Sequence, residues 1–181
     1  PWGPGRPGWH TECFVMATEI LGTPFDIHGG GLDLKFPHHE NELAQSCCYS
    51  GNLDQKNSYA KYWMHNGFVT VDSEKMSKSL GNISLVKDFL KLYNGEVLRL
   101  ALLSAHYRSP LNWSDQVLSQ SKNRITKYKK ILEEHKNLSI IEDVKGNLLV
   151  HQIEEALLDD INISKSLSIL DANVKEIHKK D

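Results

Sequence analysis

At 181 residues and 20.6 kDa the chain has room for one large domain or two small ones, with a sizeable core. With 40% hydrophobic and 24% charged residues and a mean hydropathy of −0.42 it reads as globular, and no run approaches the roughly 20 apolar residues that cross a bilayer. Lysine plus arginine (21) against aspartate plus glutamate (23) gives a net charge of −2, so any RNA contact has to come from a local patch.

The opening PWGPGRPGWH places prolines and glycines ahead of a helical pattern and lacks an initiator Met, so it reads as an interior loop of a longer protein. A helix is expected from about Glu12 to Leu21, closed by Gly22. A short strand Phe25 to His28, a glycine run, a helix opening at Pro37 and strands near Tyr62 to His65 and Phe68 to Val71 follow. Strands alternating with helices predict part of a parallel α/β sheet. After a loop at Glu74 to Asn82, apolar residues return with helical spacing from Leu85 to Ala105, broken at Asn94-Gly95.

All six prolines and eleven of the twelve glycines lie at or before Pro110, so the remainder is expected to be helical throughout. Ser114 is placed to cap a helix running to about Lys136, with helices Leu148 to Asp160 and Asn162 to Lys179 beyond it. Leu118, Ile125, Ile131, Leu157, Leu167, Leu170 and Val174 are the expected core of a small antiparallel bundle. The first of these helices carries Lys122, Arg124, Lys127, Lys129, Lys130 and Lys136 against Glu133 and Glu134, a local basic surface or simply a solvated face.

His38 and Glu42 are four apart just inside the helix that Pro37 opens, so both project from one face. With Cys13 they offer the ligand types of Zn²⁺, although a His and a Glu at this spacing also form ordinary surface pairs. Cys47 and Cys48 point roughly 180° and 80° away from His38 on such a helix and are poor completing ligands, and His39 faces elsewhere. Cys13, Cys47 and Cys48 are an odd set in a chain without a signal-peptide pattern, which reads as reduced cytosol.

Two loops have a phosphate or nucleotide character. Gly29, Gly30 and Gly31 follow a strand, with Asp33 close behind; bare backbone admits a flat ligand and a carboxylate accepts from ribose hydroxyls, though three glycines also make a plain turn. Lys75 and Lys78 in KMSKS stand where two ammonium groups can close onto phosphates, or form a solvated lysine loop.

In this order, GRPGWHTEC (Gly5 to Cys13), FDIHGGGLDLKFPHHENE (Phe25 to Glu42), KYWMHNGFV (Lys61 to Val69), KMSKSLGN (Lys75 to Asn82) and HYRSPLNWSD (His106 to Asp115) closely resemble the cysteinyl-tRNA synthetase family. ALLDDINISKSLSIL (Ala156 to Leu170) also looks like that family's helical segment. The resemblance implies a fold of class α/β, the second half of a Rossmann-type class I synthetase catalytic domain, followed by an all-α helical bundle. Residues 1–82 would be the catalytic part with the zinc site and KMSKS loop, 83–113 a stem-contact connector and 114–181 the start of the anticodon-side bundle. It implies that Cys13, His38 and Glu42 are zinc ligands, the fourth being a cysteine in a preceding half of the protein. Trp9 and His10 belong to the cysteine pocket, Gly29 to Gly31 and Asp33 to the adenosine site, and Lys75 and Lys78 to the phosphate-binding loop. The HIGH-type motif is absent from the chain, so the chain alone is expected to be inactive.

The implied partners are L-cysteine, ATP with Mg²⁺ and tRNA(Cys), in a cytoplasmic monomer with no membrane attachment. Serine differs from cysteine by one atom, and pocket shape separates such near-isosteres only about 10- to 200-fold. A zinc-bound thiol is deprotonated outright, whereas a hydroxyl competes badly for a borderline-soft ion. The rival readings are the cysteine ligase of mycothiol biosynthesis, which needs no tRNA-binding bundle, and a non-catalytic zinc-binding module.

Overall fold

The computed structural model describes residues 3–53, 58–71, 74–75, 85–137 and 147–177. They fall into two compact units, residues 1–67 and 68–181.

In the first unit, α1 (Trp9–Leu21) starts three residues ahead of expectation, because the first helical turn requires no upstream acceptor for its N–H groups and so admits Trp9 and His10. It ends where foreseen: Gly22 takes φ +73°, which a side chain would strain, and its N–H donates to Thr18 O at 3.0 Å. β1 (Phe25–Gly31) differs from expectation more instructively. The glycines continue the strand, pairing in parallel with β2 (Ala60–Asn66), Gly29 opposite Met64, Gly30 opposite His65 and Gly31 opposite Asn66. Gly30 is there for closeness of approach: a Cβ on it would stand 2.7 Å from Cε1 of the His39 ring.

Beyond a turn at Leu32–Leu34 the backbone is extended at Phe36 (φ −142°, ψ 133°), and helical geometry resumes after Pro37, whose carbonyl accepts from Glu40 N–H. α2 (Glu40–Ser50) follows and closes at Gly51, φ +67°. The core joins Phe14 of α1, Phe25 of β1, Ala60 of β2 and the completely buried Tyr59, with Ala17, Leu43 and Trp63 against them. A large apolar side chain such as Phe14 or Phe25 contributes roughly 1.5–3 kcal/mol on burial, so this cluster is what clamps α1 and α2 onto the strand pair.

In the second unit β3 (Val69–Val71) pairs in parallel with β5 (Leu111–Trp113) and antiparallel with β4 (Glu74–Lys75). Glu74 and Lys75, expected at the start of a loop, are thus held in a strand opposite Val71 and Thr70. α3 (Val86–Phe89) and α4 (Gly95–Leu102) lie between them in sequence, and the Asn94 side chain caps α4 by accepting from Val97 N–H at 3.0 Å. Leu98, Ala101, Leu111, Trp113 and Leu118 form this unit's core.

Ser114 caps α5 (Asp115–Glu134) as expected. α6 (Leu148–Leu158) and α7 (Ile163–Ile177) pack against each other. Here the expected core needs correcting: Ala156 is wholly buried while Leu157, about 100° further round the helix, is 40% exposed. Leu118, Ile131 and Val174 are buried, and Ile125, Leu167 and Leu170 are half-buried. Asp160 and Ile161, at the α6–α7 corner, both have positive φ (54° and 55°). The Asp160 carboxylate accepts from Tyr107 OH at 2.6 Å and from the Arg108 guanidinium, and Asp171 accepts from Tyr128 OH at 2.7 Å and from Arg124. Among the described residues, no helix is long and apolar enough to cross a membrane.

Candidate metal centre

Three elements of the first unit supply the centre. α1 brings Cys13 one turn beyond Trp9, the turn after Pro37 brings His38, and α2 brings Glu42 one turn further on the same face. One donor atom from each lies within 4.8 Å of the others. On a tetrahedral zinc with bonds of about 2.0–2.3 Å the ligand atoms stand about 3.3–3.8 Å apart, so small adjustments close this set around an ion.

Glu42 explains why. It has no solvent exposure, and its two oxygens are treated differently. Oε2 accepts a 2.6 Å hydrogen bond from His28 Nε2. Oε1 is buried and has no hydrogen-bond partner; His38 Nε2 stands 3.1 Å away but is not aligned to donate to it. A buried carboxylate oxygen left without a donor, beside an imidazole nitrogen and a cysteine sulfur, offers the donor types that Zn²⁺ takes, and these residues fit that ion.

The electrostatics agree. Burial is the largest influence on Glu42 and pushes its carboxyl up, but the His28 hydrogen bond and the charges of His28, His38 and His39 together hold it below the usual range. Burial, then the neighbouring Glu42 carboxylate, then Glu12, raise the Cys13 thiol, so a metal binding there would expel a proton that the apo site keeps. His39 is lowered to about 4, chiefly by burial and then by His28.

Around the ligands stands an aromatic and imidazole cluster. The Trp9 ring lies 4.3 Å from that of His38, centroid to centroid, while 63% of Trp9 remains exposed. His28 is packed edge-on to Phe25, Tyr59 and Trp63, and His39 shares a 2.9 Å hydrogen bond with His65. Sequence reasoning missed His28, Trp63 and His65 as part of this site. Their distance along the chain carries no ligand spacing, and only the parallel register, with His28 opposite Trp63 and Gly30 opposite His65, assembles them.

The other candidates are spread out. His10 folds back over Gly8, where a Cβ would meet its ring at 2.4 Å. Asp33 is exposed, with its Oδ1 against Gly31. Cys47 is buried with Sγ 3.1 Å from Ser58 Oγ and Cys48 is exposed, so neither joins the ligand set. The backbone of Lys75 belongs to β4 in the second unit, and Lys78 lies outside the described residues.

A parallel α/β segment followed by helices is the architecture of a class I aminoacyl-tRNA synthetase catalytic domain. Its fold is shared with a LeuRS from Agrobacterium radiobacter solved in a ternary complex with tRNA and LeuAMS (TM-score 0.63, 16% identity, 88% of this chain and 23% of that one). A putative arginyl tRNA synthetase from Campylobacter jejuni is similar in the same way (TM-score 0.57, 16% identity, 98% of this chain and 44% of that one). Residues 1–123 match the family of tRNA synthetases class I (C) catalytic domains, and the chain belongs to that family. It is 48% identical over 171 residues to the Cysteine--tRNA ligase of Phenylobacterium zucineum, covering 94% of this chain and 36% of that protein. To the same-named proteins of Thermodesulfovibrio yellowstonii and Parvibaculum lavamentivorans it is 47% and 50% identical, covering 99% and 94% of this chain and 38% and 35% of theirs. The chain thus spans little more than a third of these relatives.

Proposed function

We propose that the protein containing this chain activates L-cysteine with ATP and transfers it to tRNA(Cys), and that Cys13, His38 and Glu42 hold the zinc that selects the substrate. The observation that carries this reading is the buried Glu42 Oε1, without a hydrogen-bond donor, beside His38 and Cys13. Bound there, zinc would supply a soft Lewis-acid position that takes the substrate side chain as a thiolate and disfavours a hydroxyl. His28 fixes the carboxylate so that Oε1 faces the ion, and Trp9, packed on His38, forms a wall of the cysteine pocket with His10 beside it. Gly29, Gly30, Gly31 and Asp33 take the adenosine. Lys75 and Lys78 neutralise the charge that builds on the phosphate oxygens of MgATP as the cysteine carboxylate attacks the α-phosphate and pyrophosphate leaves.

In this reading residues 1–82 are catalytic, 83–113 contact the acceptor stem and 114–181 begin the anticodon-side bundle, within a cytoplasmic monomer. The tRNA-dependent reading is preferred to a cysteine ligase for a sugar amine because the curated relatives are named as tRNA ligases. The test is cysteine-dependent exchange of pyrophosphate into ATP, followed by charging of tRNA(Cys), by the protein at its natural length. Both should occur with cysteine and fail with serine, and exchange with cysteine but no charging of any tRNA would contradict the reading. The chain by itself should show neither.

A further inference from the structure

His28, His39 and Glu42 form a second convergent donor set beside the first. One donor atom from each lies within 4.8 Å of the others; His39 and Glu42 are buried and His28 is half-buried. It shares only the Glu42 carboxylate with the set of Cys13 and His38, and the oxygen that faces it is the other one, Oε2. We propose that this pocket is a second, weaker divalent-cation site of His-His-carboxylate type, and that an ion there shares Glu42 as a bridge with the zinc of the first site.

The fit is geometric. An ion bonded to His28 Nε2 and Glu42 Oε2 at about 2.0–2.2 Å holds those atoms about 2.8–3.4 Å apart, and they already stand 2.6 Å apart. Insertion therefore needs an opening of a few tenths of an ångström and replaces the proton of that hydrogen bond. The His28 and His39 rings are 4.5 Å apart at their centroids and tilted by 55°, so neither blocks the other. The His65 hydrogen bond on His39 Nδ1 orients the second ring, the partner that metal-binding imidazoles ordinarily have.

Two imidazoles and a shared carboxylate, without sulfur, suit Zn²⁺ or Co²⁺ but bind more weakly than a set with a thiolate. The consequence is inhibition by excess metal. An ion on Oε2 draws charge from the carboxylate that holds the first zinc and replaces the hydrogen bond by which His28 orients it. Activity should thus be highest at one metal per chain and fall as the second site fills.

The proposal rests on Cys13, His38 and Glu42 as the first site, and the experiment separates the two. Metal-free protein of natural length is titrated with Co²⁺ alone, with absorption and bound metal followed together. The expected result is one equivalent carrying a sulfur-to-cobalt charge-transfer band, then a second equivalent without it. His39→Asn should weaken the second equivalent about tenfold or more and leave the first unchanged, whereas Cys13→Ser should weaken the first equivalent and its sulfur band, which the upstream cysteine then carries alone, and leave the second equivalent in place. Wild-type protein that stops at one equivalent, or a second equivalent that carries the sulfur band or survives His39→Asn, would overturn the second site. Absence of any sulfur band in wild type would instead overturn the first.

Discussion

Glu42 is completely buried, and its oxygens face different partners, His28 on one side and the donor pair of Cys13 and His38 on the other. The carboxylate is therefore oriented before any ion arrives, and His28 does the orienting. His28→Ala should lower zinc affinity about 10- to 100-fold in a chelator competition, with the protein still folded by circular dichroism. Unchanged affinity would mean that the hydrogen bond is incidental. At this scale the convergent donor set was legible, because Cys, His and Glu have a chemistry that survives translation into a string: His38 and Glu42 share a helix face by spacing, Cys13 adds the thiol that completes the ligand types of zinc, and motif resemblance joined the three into one expected site. His28 was not legible, since a histidine on a strand looks the same whether it faces water or a carboxylate brought in from a helix fourteen residues on.

At the scale of elements the glycine run shows how tertiary contact overrides propensity. Three glycines argue for a turn, yet they complete β1 by pairing with the parallel partner β2, and the His39 ring and the Asp33 carboxylate take the space that side chains at Gly30 and Gly31 would need. Leu157 fails as a core residue for a related reason: hydrophobicity marks a helix stripe about 100° wide, and which edge turns inward depends on the neighbour, here favouring the small Ala156.

The α6–α7 corner adds a polar device that no pattern announces. Asp160 is held at about 2 chiefly by the Arg108 hydrogen bond and then by Tyr107. A folded-state pKa below the unfolded value of about 3.9 contributes stability that is fully present above the unfolded value and lost as pH falls through about 2. Asp160→Asn should therefore melt below wild type at pH 5, and the difference should shrink steadily toward pH 2. A gap that is constant over this range would show that the clasp acts through shape rather than charge.

For the whole molecule, the α/β-then-helical order was readable from where prolines and glycines stop, but the boundary was placed one strand too early: Leu111–Trp113, expected to be helical, is held as β5 by its pairing with β3. The fate of the basic run was not readable. Arg124 is half-buried on Asp171 rather than facing outward, Lys129 pairs with Glu96, Lys130 with Glu134 and Lys136 with Glu133. Much of the expected positive field is thus answered by acids, two of them on other helices, and net charge along one segment could not reveal that. If the face still meets tRNA, reversing Lys127, Lys129 and Lys130 to glutamate should weaken tRNA binding and flatten its salt dependence, leaving cysteine activation unchanged. Variant affinity equal to that of wild type at each of two salt concentrations would mark it as a solvated surface.

The central claim is that Cys13, His38 and Glu42 present a metal to the side chain of the amino acid. It is tested most directly by sulfur-ligand counting at the metal, by X-ray absorption, in protein of natural length carrying one zinc, before and after addition of L-cysteine or L-serine. The account predicts one additional zinc–sulfur bond with cysteine and no change with serine. An unchanged sulfur count with cysteine, in protein that still exchanges pyrophosphate, would contradict it.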